Sequence, residues 1–170
     1  LGGNDAAIVL DDAKPLKIAE DIFNSAMANT GQICAAIKRL YVHKNIYEEM
    51  CDALKEIADK AIVGDGFEQG IDFGPLQNKQ QYEKVKNYIE EAKEKGKVIS
   101  GGEIPDKPGY FIPITLIKDV EDGLSLVDEE QFGPVLPIIK FNELDEVVEK
   151  ANASNDEQRN AIIQDLKKLK

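Results

Sequence analysis

The side chain with the most chemistry to offer is a thiol. Cys34 stands in the non-periodic run Thr30-Gly31-Gln32-Ile33-Cys34, beside a glycine and at the junction of two elements. A thiolate is the best nucleophile among ordinary side chains, and a junction can leave one accessible to a reactant. A lone cysteine is also commonly a small buried hydrophobe, and both readings fit Cys34. Cys51 lies inside an amphipathic run and fits only the buried reading. The single histidine, His43, ends an apolar segment, and pairing it with Cys34 as a protease-like couple would require the chain to turn back on itself. One histidine and two cysteines make no zinc cluster, and the acidic residues Asp119, Glu121 and Asp122 lack the spacing of a calcium loop, so no metal is expected. Gly64, Gly66 and Gly70 imitate a dinucleotide fingerprint, but the last spacing is too long and the glycines follow a helix, so a turn-rich loop is expected. The acidic run Asp128-Glu129-Glu130, taken alone, reads as a solvated face.

Elements that would hold these residues follow from periodicity. Ala6 to Leu10 is a short apolar run suited to a strand buried on both faces. Pro15 opens a helix expected to run to about Asn29, with Ile18, Ile22, Phe23 and Ala26 on one side. Lys38 to His43 reads as a strand with polar and apolar positions alternating, and Ile46 to Ile62 as a second helix. The glycine-rich stretch from Gly64 to Pro75 is longer than most connections, which points to a functional or extended loop. A charged amphipathic helix is expected over Asn78 to Lys95, stopped by Gly96 after a lysine-rich turn. Strands follow at Lys97 to Gly102, at Tyr110 to Ile117 with Pro113 placing it at an edge or near a bulge, and at Val135 to Phe141. Leu144, Val147, Val148 and Ala151 mark a short helix, and Ser154 with Glu157 opens a closing one. Strands alternating with helices predict an α/β fold with a mainly parallel sheet flanked by helices.

The 170 residues carry 21 basic and 32 acidic side chains, a net charge of −11. That balance disfavours nucleic acid and anionic membranes as partners. Such a length buries roughly 70% of the unfolded chain's surface, enough for a core without disulfides or metal. No apolar run is of membrane-spanning length, and the chain opens on Leu1-Gly2-Gly3 without an initiator methionine or a basic leader, so it reads as a cytoplasmic protein or an excised piece of one with free thiols.

Three segments together resemble the catalytic domain of the NAD(P)-dependent aldehyde dehydrogenase superfamily. Leu1-Gly2-Gly3-Asn4 is similar to the end of its Glu-Leu-Gly-Gly motif, Asn29-Thr30-Gly31-Gln32-Ile33-Cys34 to its cysteine motif, and Glu130-Gln131-Phe132-Gly133-Pro134-Val135 to its Glu-x-Phe-Gly-Pro motif, in matching order and spacing. Val63-Gly64-Asp65 and Phe73-Gly74-Pro75-Leu76 resemble the loop after the family's second helix. The resemblance spans residues 1–154 and implies the fold of that catalytic domain. It also implies that Cys34 is the nucleophile, forming a thiohemiacetal and then a thioester, with its own backbone N–H on the oxyanion. Glu130 would bond the nicotinamide ribose, Phe132 would pack near the nicotinamide, and Gly2 and Gly3 would let the backbone pass close to NAD or NADP. An aldehyde would be the substrate. The family's general-base glutamate would fall just before Leu1, and its cofactor-binding domain upstream, so this segment alone is expected to bind no cofactor and to be inactive.

Residues 155–170 depart from that family. The run from Asn155 to Lys167 resembles the second helix of the immunoglobulin-binding domains of protein A, with Asn160, Ile163, Gln164 and Lys167 on the antibody-facing side. One such helix without its companions is not expected to bind immunoglobulin. The alternative function is a structural or fusion scaffold without catalysis, and a truncated sheet edge would favour self-association.

Overall fold

The computed structural model describes residues 3–153. The helix expected from Ser154 onward, the separate origin expected for residues 155–170, and Gly2 lie outside the described residues. Five strands form one sheet: β1 (Asp5–Val9), β2 (Ile37–His43), β3 (Lys97–Ser100), β4 (Thr115–Lys118) and β5 (Val135–Phe141), in the order β1-β2-β5-β4-β3. All neighbours are parallel except β3, which runs antiparallel to β4. The helices are α1 (Pro15–Met27), α2 (Tyr47–Ala58), α3 (Lys79–Lys95), the single turn α4 (Ser125–Asp128) and α5 over residues 144–153.

Period-two alternation along the strands divides the core in two. Leu40, Val42, Leu116, Leu136 and Ile138 face α1 and α2, where they meet Phe23, Met27, Met50 and Leu54. Tyr41, Ile117, Val135 and Ile139 face the other way, onto Val85 and Ile89 of α3, Leu126 and Val127 of α4 and Val147 of α5. The result is a sheet covered by helices on both faces, as the alternating pattern predicts.

Helix starts follow local chemistry. Pro15 occupies the first turn of α1, where its missing N–H is no loss. Asn78 caps α3 by accepting from the Gln81 N–H at 2.9 Å. Both α1 and α2 stop earlier than their apolar stripes suggest, at Met27 and Ala58.

Four expectations about strands and turns need correction. β1 has one neighbour in the described sheet and is mostly half-exposed, so it is not the doubly buried strand its apolar run suggests. β2 is the opposite case. Lying between β1 and β5, it buries even Lys38 and Arg39, and its polar positions do not face water. The strand expected over Tyr110–Ile117 shrinks to Thr115–Lys118, because pairing with β5 begins at Thr115↔Val135 and leaves Pro113 ahead of the ladder. That strand is interior, flanked by β5 and β3, so of the two placements expected from Pro113 the edge is overturned, while a bulge-like register shift does lie in its pairing with β3, between Val98 and Ser100. α4 was not legible, since four residues are too few to show a period.

Candidate active site

Cys34 sits on the connection between α1 and β2, and the backbone that presents it is unusual. After α1 the chain turns tightly over Ala28–Gly31, where Asn29, Thr30 and Gly31 take φ values of 50°, 58° and 71°. Two non-glycine residues in the left-handed region store strain, which persists only where surrounding contacts over-determine it. Those contacts are present. Gln32 N–H donates to the Asn29 carbonyl at 3.1 Å, and the Asn29 side chain donates to the Gln32 carbonyl at 3.2 Å. Thr30 Oγ1 donates to the Gly74 carbonyl at 3.2 Å, Gln32 Nε2 to the Pro75 carbonyl at 3.3 Å, and Gln77 N–H to Gln32 Oε1 at 2.9 Å. The long loop from Gly64 to Pro75 is thus a brace for the cysteine loop, and Cys34 at its tip is exposed.

Two glycines allow the three distant motifs to meet. A Cβ on Gly31 would stand 2.2 Å from the Gly133 carbonyl oxygen, and one on Gly3 would stand 2.6 Å from the carbonyl oxygen of Cys34. The bare backbone at these positions therefore serves close packing of motif against motif. Next to Gly3, Asn4 Nδ2 donates to the Val127 carbonyl at 2.9 Å, and its own carbonyl accepts from Arg39 Nε and Nη2 at 2.9 and 2.7 Å.

The segment after α4 closes the site. Phe132 is half-buried with φ 51°, and α3 holds this turn through Gln81 Nε2, which donates to the carbonyls of Gln131 and Phe132 at 2.6 and 3.1 Å. Gln131 is fully buried and donates to the carbonyls of Lys38 and Leu126. The acidic run is more than a solvated face. Asp128 accepts from the Gly123 N–H at 3.0 Å, Glu129 accepts from Tyr88 Oη at 2.6 Å, and the Glu130 carbonyl accepts from Lys84 at 3.2 Å. Glu130 Oε1 is buried and has no hydrogen-bond partner among the described residues. A carboxylate oxygen withdrawn from water and left open is an acceptor for a donor supplied from outside the chain.

Profile comparison decides the ancestry: the description "Aldehyde dehydrogenase family" matches residues 1–166. The chain belongs to the aldehyde dehydrogenase family. Among relatives, a probable aldehyde dehydrogenase of a Pseudomonas species is 44% identical over 91% of this chain and 32% of its own length. A putative aldehyde dehydrogenase of Bacillus subtilis is 39% identical over 91% of this chain and 31% of its own. Lactaldehyde dehydrogenase from Escherichia coli superposes with a TM-score of 0.85 at 38% identity, covering 89% of this chain and 32% of that one. An NAD+ complex of an aldehyde dehydrogenase from Bacillus cereus gives 0.83 at 41% identity, covering 89% and 31%. This aldehyde dehydrogenase chain thus spans about a third of the length of the relatives it matches.

Of the residues the motifs single out, Gly3, Cys34, Glu130 and Phe132 come from the segments that pack together here, whereas His43 stands at the opposite end of β2, bonded to Asn142 and Asn45. Cys51 is buried on α2 as expected, and burial pushes its thiol up to about 12. Sequence reasoning passed over Thr30, Gln32, Lys38 and Gln81, whose side chains fix the loops. For the first two the available signal was position, inside the cysteine motif itself.

Proposed function

We propose that this segment carries the catalytic thiol and part of the cofactor site of an NAD(P)-dependent aldehyde dehydrogenase that oxidises an aldehyde to a carboxylic acid. The observation that supports it best is the packing of Gly3, the Gly31–Cys34 loop and the Gln131–Gly133 turn against one another around an exposed thiol. Cys34 Sγ, as thiolate, attacks the aldehyde carbon, and the carbonyl π pair becomes an oxyanion that the Cys34 backbone N–H bonds. Collapse of that thiohemiacetal re-forms the carbonyl and expels the former aldehyde hydrogen as hydride, leaving a thioester on Sγ. Water then adds to the thioester carbon, and the acid departs with return of the thiolate, so that one water is consumed and two electrons leave the substrate. Bound NAD or NADP supplies the acceptor for that hydride. Glu130 fits such a group because its open, buried Oε1 can accept from a ribose hydroxyl, and the half-buried Phe132 ring can pack beside the nicotinamide.

Sustained turnover belongs, in this reading, to a protein of the relatives' full length, and single-turnover acyl chemistry to the segment alone. p-Nitrophenyl acetate tests the thiol without cofactor. The expected result is one acetyl group per chain, located on Cys34 by peptide mass spectrometry and lost in Cys34→Ala. Acetylation absent from Cys34 in the folded chain would overturn the assignment.

A further inference from the structure

The strand that follows the nucleophile loop begins with a bulge. β1 and β2 run parallel with Asp5 opposite Ile37 and Ala6 opposite Arg39, so β2 carries one extra residue, Lys38, and its pairing with β5 starts only at Leu40. Lys38 thus has no partner in either neighbouring strand. Its carbonyl accepts instead from Gln131 Nε2 at 3.1 Å, and its Nζ turns back to the Gly31 carbonyl at the start of the loop. A bulge bends the strand that carries it and re-aims the residues around it, and bulges recur beside active sites.

Gln131 is the residue that fills this bulge. It is fully buried, and the same Nε2 gives its second hydrogen to the Leu126 carbonyl of α4, so one amide joins β2 to α4. The Glu-x-Phe-Gly-Pro pattern leaves position 131 open, and an apolar side chain of similar length would fill the same space. What the amide adds is two hydrogens for two carbonyls that burial would otherwise leave unpaired. On either side of Gln131 the site residues Glu130 and Phe132 are half-buried. Two positions on, the Gly133 carbonyl oxygen lies where a Cβ on Gly31 would stand 2.2 Å away, and Val85 of α3 packs on Gly133. The turn is therefore pinned at Gln131 and pressed onto the nucleophile loop at Gly133.

We propose that Gln131 is a positioning residue for the reaction assigned to Cys34. By filling the Lys38 bulge it sets where Gly133 meets Gly31, and with that the orientation of the loop whose Cys34 backbone N–H holds the oxyanion. The inference rests on the nucleophile reading of Cys34. Two reagents separate this role from a purely structural one. p-Nitrophenyl acetate acylates Sγ through a tetrahedral oxyanion, with p-nitrophenolate as leaving group, and so depends on the loop geometry. Iodoacetamide alkylates Sγ by displacement of iodide, forms no oxyanion, and reports only the thiol and its access.

The experiment measures both rates at Cys34 by peptide mass spectrometry in the 170-residue chain, with circular dichroism confirming the fold of each variant. In Gln131→Met, similar in length and without donors, acetylation is expected to slow about tenfold while alkylation changes less than about twofold. Gln131→Asn keeps the amide but is one methylene short of reaching both carbonyls. It is expected to shift the ratio in the same direction, and it supplies the comparison if the methionine variant does not fold. A folded variant with the parental ratio of the two rates would overturn the inference, whether both rates stay or both fall together. Failure of both variants to fold would overturn it as well, since Gln131 would then serve the core and not the thiol. Failure of the nucleophile reading looks different, because the parent's own Cys34 would then take no acetyl group.

Discussion

The two cysteines make the sharpest comparison in the molecule. Cys34 rides on a loop with three left-handed residues, held by side-chain bonds to Gly74, Pro75 and Gln77 and by backbone contact with Gly133. Cys51 sits on α2 among Met50, Leu54 and the sheet, 2% exposed and without a polar role. One region is held by specific hydrogen bonds that over-determine a strained backbone, the other by apolar area. The difference teaches that the thiol's chemistry is decided by the scaffold around it, since the side chain is the same in both places.

The largest expected effect lies in direct competition between the two thiols. In the folded chain at neutral pH, iodoacetamide should label Cys34 more than about a hundredfold faster than Cys51, whose burial both blocks access and suppresses the thiolate. Peptide mapping measures the ratio, and equal labelling would erase the distinction. Next in size, Leu54→Ala removes a fully buried side chain beside Cys51 and should cost about 2–5 kcal/mol in urea unfolding. Cys34 reactivity should stay unchanged while that variant remains folded. Gly31→Ala sharpens the contrast from the other side. It places a methyl group against the Gly133 carbonyl at φ 71°, and should cost about 1–3 kcal/mol while also altering the Cys34 labelling rate. A Gly31→Ala chain with parental labelling would mean that the loop geometry does not govern the thiol.

A smaller effect should appear at alkaline pH. The unfolded Cys51 thiol ionises near its ordinary 9.0, whereas in the fold it is pushed up to about 12 by desolvation. Between those values the unfolded chain releases a proton that the native chain keeps, so the stability Cys51 contributes is complete below the first and is lost as pH rises toward the second. The slope is about 1 kcal/mol per pH unit. Comparison of urea midpoints at about pH 8 and about pH 10 should show a smaller loss in Cys51→Ala than in the parent.

The motif segments were legible because each is a short run of particular residue types. The resemblance implied close approach of a cofactor at Gly3, whereas in the fold its open side meets the Cys34 carbonyl, and the contact of Gly31 with the Gly133 carbonyl was not foreseen. The braces were not legible. Nothing local marks Gln81 as the residue that holds the Phe132 turn, because its two bonds cross to carbonyls 50 and 51 residues away. Lys38 read as the polar half of a strand for a similar reason. A strand's own pattern reports alternation, and only its neighbours report burial.

The sequence by itself determined the helices α1, α2 and α3, their starts near Pro15 and Asn78, the α/β class and the motif segments, since these depend on periods of 3.6 and 2 and on chemistry within a few positions. Tertiary structure decided that β2 and β4 are interior and that β1 has one neighbour among the described residues, that the Gly64–Pro75 loop braces the Cys34 loop, and that Lys38 is buried with its ammonium on the Gly31 carbonyl. The physical reason is common to all three. Strand order, loop closure and the burial of a charge are settled by contacts between residues distant in the chain, where the free energy of a group depends on what the fold places next to it.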